Sequence, residues 1–133
     1  MCFEMLLKSL VVWLGMLIFA IANGVLRDSL LIPALGTVPG FVLSGLLLSC
    51  LILVTAYLTL PWLGASSLVQ LLVVGFGWLA LTLVFEFSFG FIRGMTMDEL
   101  LAAYTFKDGN TWPVVLVATA AAPWIAARLR GLL

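Results

Sequence analysis

Four long apolar stretches, separated by short connections, dominate the chain. They lie at about residues 7–27, 41–60, 68–91 and 112–130. Each is close to the roughly 20 apolar residues that an α-helix needs to cross a bilayer. The pattern predicts an all-α membrane protein in which a four-helix transmembrane bundle forms a single domain over residues 1–133.

Prolines and capping residues predict where these helices begin and end. Pro61 should stop the second span, since proline removes a backbone hydrogen bond from a helix. Ser67-x-x-Gln70 fits a capping box at the start of the third span. Pro123 predicts a kink in the fourth span. The prolines and glycines of residues 29–40 predict an irregular first connection.

Small residues indicate where helices can approach one another closely. Gly75 and Gly77 offer such positions in the third span, and the fourth carries a stripe of Ala118, Ala122 and Ala126. We expect these two spans to use their small residues for packing.

The connection over residues 93–111 is the most polar part of the chain and carries its own helix signals. Thr96-x-x-Glu99 fits a second capping box, and Lys107 and Gly109 suit a helix end. Apolar residues recur at helical spacing at Met97, Leu100, Leu101 and Tyr104. We predict an amphipathic helix over about residues 97–107, too short to span and lying in the membrane interface.

The start of the chain permits a second interpretation, a secretory signal peptide. Lys8 would be its charged region, residues 10–19 its apolar core, and Ala20-Ile21-Ala22 its cleavage site. Because apolar character continues through Val25 and Leu26, we expect the segment to remain as the first span.

Composition narrows the function further. The chain is 65% hydrophobic and 9% charged, with a mean hydropathy of +1.29, so the lipid bilayer is its expected surrounding. Six basic and six acidic residues cancel, which argues against nucleic acid as a partner. Histidine is absent from the sequence, and Cys2 and Cys50 lie far apart, so we expect no metal site and no cofactor.

Glu86 lies in the apolar, aromatic run of residues 83–91. A carboxylate in hydrocarbon costs on the order of 2.5–3.5 kcal/mol on insertion scales, so it should face protein, water or a cation. We predict an ion pair with Arg27, with Arg93 as the rival partner. Helix connectivity puts further candidates for this polar cluster at the same membrane face: Asn23, Ser44, Asp98 and Tyr104.

The positive-inside rule gives a weak indication of orientation. Basic residues are equally divided between the two faces, with Lys8, Arg128 and Arg130 on the side of the termini and Arg27, Arg93 and Lys107 on the other. The second group has acidic neighbours, whereas Arg128 and Arg130 look like unpaired anchors. We therefore expect cytoplasmic termini.

Three motifs together resemble a known group. These are Asn23-Gly24-x-x-Arg27-Asp28, Phe85-Glu86-Phe87-x-Phe89-Gly90, and Tyr104 followed by Gly109 and Trp112. The combination resembles a family of small, uncharacterised bacterial four-span inner-membrane proteins. The resemblance implies a bacterial inner-membrane location and the four-span layout, but no activity. In that family the tyrosine is flanked by Asp and Asn, whereas Ala103 and Thr105 flank it here.

Three functions fit these features. If Glu86 and Arg27 form a static pair, the favoured interpretation is an accessory or assembly subunit that binds a larger membrane complex. A transporter or channel for a small solute or ion, using Glu86, is the alternative and would require a homo-oligomer. An intramembrane lipid-modifying enzyme comes third, since the sequence lacks a serine or cysteine nucleophile motif, and we assign no catalytic residue.

Overall fold

The computed structural model describes residues 3–65, 67–105 and 112–131, and this part of the chain is helical without β-strands. Helix α1 (Phe3–Leu26) continues through a π-helical turn (Arg27–Leu31) into the short α2 (Ile32–Leu35). Helices α3 (Thr37–Leu63) and α4 (Leu68–Ile92) follow. After them come α5 (Met97–Ala102), a 3₁₀ turn (Ala103–Thr105) and α6 (Trp112–Leu129).

Within the described residues, four helical segments are long and apolar enough to cross a membrane: Phe3–Leu35, Thr37–Leu63, Leu68–Ile92 and Trp112–Leu129. Large apolar side chains such as Val84 and Val117 point outward from the bundle. An apolar exterior suits a lipid surrounding. The predicted all-α four-helix bundle is confirmed, and the chain is a multi-pass membrane protein.

The first connection differs from the prediction, because residues 29–35 stay helical. In the π-helical turn the Ile32 amide donates to the Arg27 carbonyl, five residues back. This wider turn tolerates Pro33, which has no amide to donate. The break comes at Gly36, whose φ of 98° favours glycine, and α3 starts at the next residue.

The second span also continues past its predicted end. Pro61 lies inside α3, which ends at Leu63 with Gly64 as its left-handed cap. A proline at this position leaves the carbonyl of Tyr57 without its helical donor. The Nε of Arg130 donates to that carbonyl, and its guanidinium lies 4.3 Å from the centre of the Tyr57 ring. Arg130 is therefore not the unpaired anchor that the sequence suggested.

Helix α6 packs between α3 and α4, with Ala122 and Ala126 fully buried and Ala118 partly exposed. Pro123 is buried as well, close to Gly75 of α4. A methyl group on Gly75 would collide with the carbonyl oxygen of Ala120, whereas one on Gly77 would meet nothing within 4 Å. Close approach thus depends on Gly75 alone of the two predicted glycines.

Both predicted capping boxes are formed. The backbone N–H of Gln70 donates to Ser67 Oγ at 3.2 Å, and the backbone N–H of Glu99 donates to Thr96 Oγ1 at 3.2 Å. The interfacial helix is shorter than predicted over the described residues, and its predicted end at Lys107 and Gly109 lies outside them.

The predicted apolar face of the interfacial helix is divided. Leu100 is 4% exposed and packs on Gly90, while Met97 is 50% and Leu101 46% exposed. Leu100 therefore anchors α5 over the end of α4.

Candidate functional site

A reciprocal pair of indole hydrogen bonds joins α1 to α4. Trp13 Nε1 donates to Thr82 Oγ1 at 3.0 Å, and Trp78 Nε1 donates to the Ser9 carbonyl at 2.9 Å. The Trp13 ring also meets the Phe85 ring edge-on, with 6.4 Å between centroids. Nearer the α4–α5 connection, no side-chain hydrogen bond joins α1 to α4 in the described part of the chain. The two helices are thus fastened at one level and leave space beyond it.

A cavity of about 560 Å³ occupies this space. Trp13 and Phe85 lie on its inner side, and Leu100 of α5 lines it near the end of the bundle. Its charged lining comes from Arg27, Glu86, Arg93 and Glu99, and its polar lining includes Asn23, Ser44, Thr82 and Thr119. The volume lies within the range of small-molecule sites. Of the seven predicted cluster residues, five therefore face one cavity.

The Glu86 carboxylate has two neutral donors, both on the same oxygen. Tyr104 Oη donates to Oε2 at 2.6 Å, and Trp112 Nε1 donates to the same atom at 2.7 Å. Oε1 accepts no hydrogen bond from the residues that the structure describes, and it is not among their fully enclosed side-chain atoms. The carboxylate of this cavity-lining residue is thus fixed through one oxygen, and the other has no partner among the described residues.

The predicted ion pair with Arg27 is wrong, and so is the alternative with Arg93. Across the described residues, neither guanidinium comes within 4.0 Å of the Glu86 carboxylate. Arg27 Nε instead donates to Asp28 Oδ1 at 3.0 Å. Arg93 donates to Met95 Sδ at 3.3 Å. Both arginines find partners near their own helix ends, whereas the donors to Glu86 arrive from other elements.

Asn23 and Ser44 meet as predicted, but they bind each other. Asn23 Nδ2 donates to the Ser44 carbonyl at 3.2 Å, and Ser44 Oγ donates to Asn23 Oδ1. Both side chains are buried. This reciprocal pair holds α1 against α3 and forms part of the cavity wall, so its role is positional.

Tyr104 reaches Glu86 from the turn after α5. Its ring stacks on Phe87, with 6.1 Å between centroids and 2° between planes. Burial is the larger cause that raises the pKa of the Tyr104 phenol, and the hydrogen bond to the Glu86 carboxylate raises this pKa as well. The phenol therefore remains a donor at neutral pH.

Two parts of the site differ from the sequence prediction. Asp98 is exposed and does not line the cavity; the neighbouring Glu99 does, although its carboxylate caps α5. The sequence indicated Trp112 only as part of the third motif, but it donates to Glu86. Its fixed spacing from Tyr104 in that motif was the available signal.

Hydroxyl groups around the cavity are engaged within the bundle. Ser44 donates to Asn23, Thr82 to the Trp78 carbonyl at 2.7 Å, and Thr119 to the Val115 carbonyl at 2.8 Å. None of these three donates to a carboxylate that could act as a base. Within the described residues, no group of three histidine, cysteine or acidic side chains could hold a metal ion.

Comparison of the chain with protein-family models, with curated proteins and with solved structures finds no match.

Proposed function

We propose that this membrane protein binds a ligand that carries a positively charged amine, and that the amine is held by Glu86. One observation carries the proposal: Glu86 lines the cavity, its Oε2 is fixed by two donors, and its Oε1 has no partner among the described residues. A carboxylate oriented in this way can accept a charge-assisted hydrogen bond from an ammonium group.

The charge of the Glu86 carboxylate also supports a cationic ligand. An ionised carboxylate within a membrane-spanning helix is costly unless a cation or water accompanies it. Tyr104 and Trp112 are neutral donors, which orient the carboxylate but do not cancel its charge. Neither of the two nearby arginines pairs with this carboxylate. A cationic ligand in the cavity would supply the compensation.

The site favours binding over the other interpretations. The accessory-subunit interpretation depended on a static Arg27–Glu86 pair, and Arg27 pairs with Asp28 instead. For passage across the membrane, a ligand would have to pass the level of Trp13 and Thr82, where α1 and α4 are joined. Trp78, just beyond that level, is 1% exposed. These contacts support a site that opens to one membrane face.

Titration of the purified full-length protein with dodecylamine, monitored by native mass spectrometry, tests the proposal. Glu86→Gln should weaken binding about tenfold or more, the scale of one charge-assisted hydrogen bond. Dodecanol, which has the same chain without the amine charge, should bind weakly to both proteins.

Glu99→Gln is the matched control. It removes a carboxylate from the same cavity, while glutamine can still serve in the capping box. Dodecylamine affinity should therefore be retained in this variant. The proposal is wrong if Glu86→Gln binds dodecylamine as the native protein does, or if the two variants lose affinity equally.

A further inference from the structure

We infer that the ligand of this cavity is a phospholipid whose headgroup joins a primary amine to a phosphate, with the amine at Glu86 and the phosphate at Arg27 and Arg93. The inference rests on the proposed amine site and specifies the class of molecule that occupies it. Three features of the cavity carry the argument: unused guanidinium donors, the separation of opposite charges, and position in the membrane.

The two arginines line the cavity and retain unused donors. Arg27 uses Nε for Asp28, and its terminal amino groups have no hydrogen-bond acceptor among the described residues. Arg93 has a single contact of this kind, with the weakly accepting sulfur of Met95. Guanidinium groups with free donors match the geometry of phosphate oxygens. The cavity thus combines a carboxylate oxygen with two anion-binding groups.

Aromatic rings hold both guanidinium groups in place. Arg27 lies 4.9 Å from the centre of the Phe41 ring, and Arg93 lies 5.1 Å from the centre of the Phe89 ring. Such contacts orient a guanidinium plane without using its hydrogen-bond donors. Both arginines are therefore available to an incoming anion.

The charges are separated by a short distance along the helix axis. Arg93 extends back over Phe89, which follows Glu86 by three residues on α4. Three residues of α-helix rise about 4.5 Å, so the ring that Arg93 covers belongs to a residue just under one helical turn beyond Glu86. Arg27 likewise folds back, with Nη2 3.8 Å from the position of a Cβ on Gly24. A short linker between amine and phosphate suits this separation.

The site also lies where a lipid headgroup would be. Arg27 and Arg93 directly follow the ends of α1 and α4, where basic side chains meet the headgroup region. Ile21 and Phe89 line the cavity and are 54% and 45% exposed. These apolar side chains border the space between α1 and α4, where acyl chains could continue into the bilayer. A primary amine is favoured over a quaternary one because it can donate a hydrogen bond to Oε1.

Native mass spectrometry of the full-length protein with single lipids of identical acyl chains tests the inference. The probes are phosphatidylethanolamine, phosphatidylcholine, phosphatidylglycerol and, for the amine alone, dodecylamine. Phosphatidylethanolamine should bind most tightly. Arg27→Gln combined with Arg93→Gln should weaken its binding about tenfold or more, whereas dodecylamine binding should not be weakened, because Glu86 is retained and two nearby positive charges are removed. Lys8→Gln combined with Arg128→Gln makes the same charge change on the opposite side of the bundle and should leave both affinities unchanged.

The outcomes separate this inference from the proposed function. If the arginine variant binds phosphatidylethanolamine normally while dodecylamine still requires Glu86, the phosphate assignment is wrong and the amine site stands. If phosphatidylglycerol binds as tightly as phosphatidylethanolamine and Glu86→Gln changes nothing, both are wrong. If phosphatidylcholine bound as tightly as phosphatidylethanolamine, the assignment of a primary amine would be wrong. If soluble phosphoethanolamine displaced phosphatidylethanolamine and bound with the same affinity, the conclusion that the ligand is a membrane lipid would be wrong.

Discussion

At the scale of single residues, the kind of donor that binds the Glu86 carboxylate determines whether its charge is compensated. An arginine would both orient and neutralise the carboxylate. A phenol and an indole orient it but leave its charge uncompensated. A residue that appears satisfied by its hydrogen bonds can therefore still require a cation.

Titration of Tyr104 tests the same contact from the donor side. In a Tyr57→Phe background, Tyr104 is the remaining tyrosine, and its phenolate absorbance should appear at higher pH than that of a free tyrosine. Adding Glu86→Gln removes a negative charge and should lower the pKa, although burial keeps it above the ordinary value.

The raised pKa of Tyr104 also makes the stability of the folded protein depend on pH. Because the folded state favours the protonated phenol, its contribution is complete below the pKa of unfolded tyrosine and is lost as pH rises through the folded value. Ultraviolet titration of both variants provides the measurement. An unchanged midpoint after Glu86→Gln would show that the carboxylate does not act on the phenol.

Sequence reasoning identified the central residue but not its partners. Glu86 was predictable because a lone carboxylate in an aromatic run must be compensated. The choice of Tyr104 and Trp112 over Arg27 depends on the path of the chain between α4 and α6. Residue spacing alone does not specify that path to within a hydrogen-bond length.

At the scale of helices, Gly75 and Gly77 provide a matched test of packing. Gly75→Ala would force a methyl group against the Ala120 carbonyl and should destabilise the bundle by about 1–3 kcal/mol. Gly77→Ala has open space and should be neutral, or stabilising by up to about 1 kcal/mol through helix propensity. Thermal unfolding in one detergent compares the two. Equal destabilisation would contradict the close contact of α4 with α6.

The sequence predicted the capping boxes correctly because their hydrogen bonds join residues three apart. It misplaced the end of α3 because the compensation for Pro61 comes from Arg130, 73 residues after Tyr57. Local rules thus located helix starts better than ends that depend on distant side chains.

At the scale of the whole molecule, the charged residues within the described ranges lie in two groups at opposite ends of the bundle. Glu4 and Lys8 form an ion pair near the start of α1, whereas Asp98 begins α5 at the cavity end. Cytoplasmic termini remain a prediction. After replacement of Cys2 and Cys50 by serine, Asp98→Cys should react with a membrane-impermeant maleimide in intact bacterial cells.

Glu4→Cys is the matched position at the other end of the bundle and should react only after permeabilisation. Both side chains are exposed, so neither result depends on burial. The reverse labelling pattern would show that the cavity opens to the cytoplasm.

The π-helical turn at Arg27–Leu31 has a consequence for how this chain could vary in length. Such a turn accommodates one residue more than an α-helical turn at nearly the same place along the axis. Deleting Ser29, which is exposed, would let the backbone return to regular α-helix without displacing α2 from its contact with Gly40. The direction in which the Arg27 side chain points would change instead. A single-residue deletion here would thus alter the cavity mouth while leaving the bundle intact.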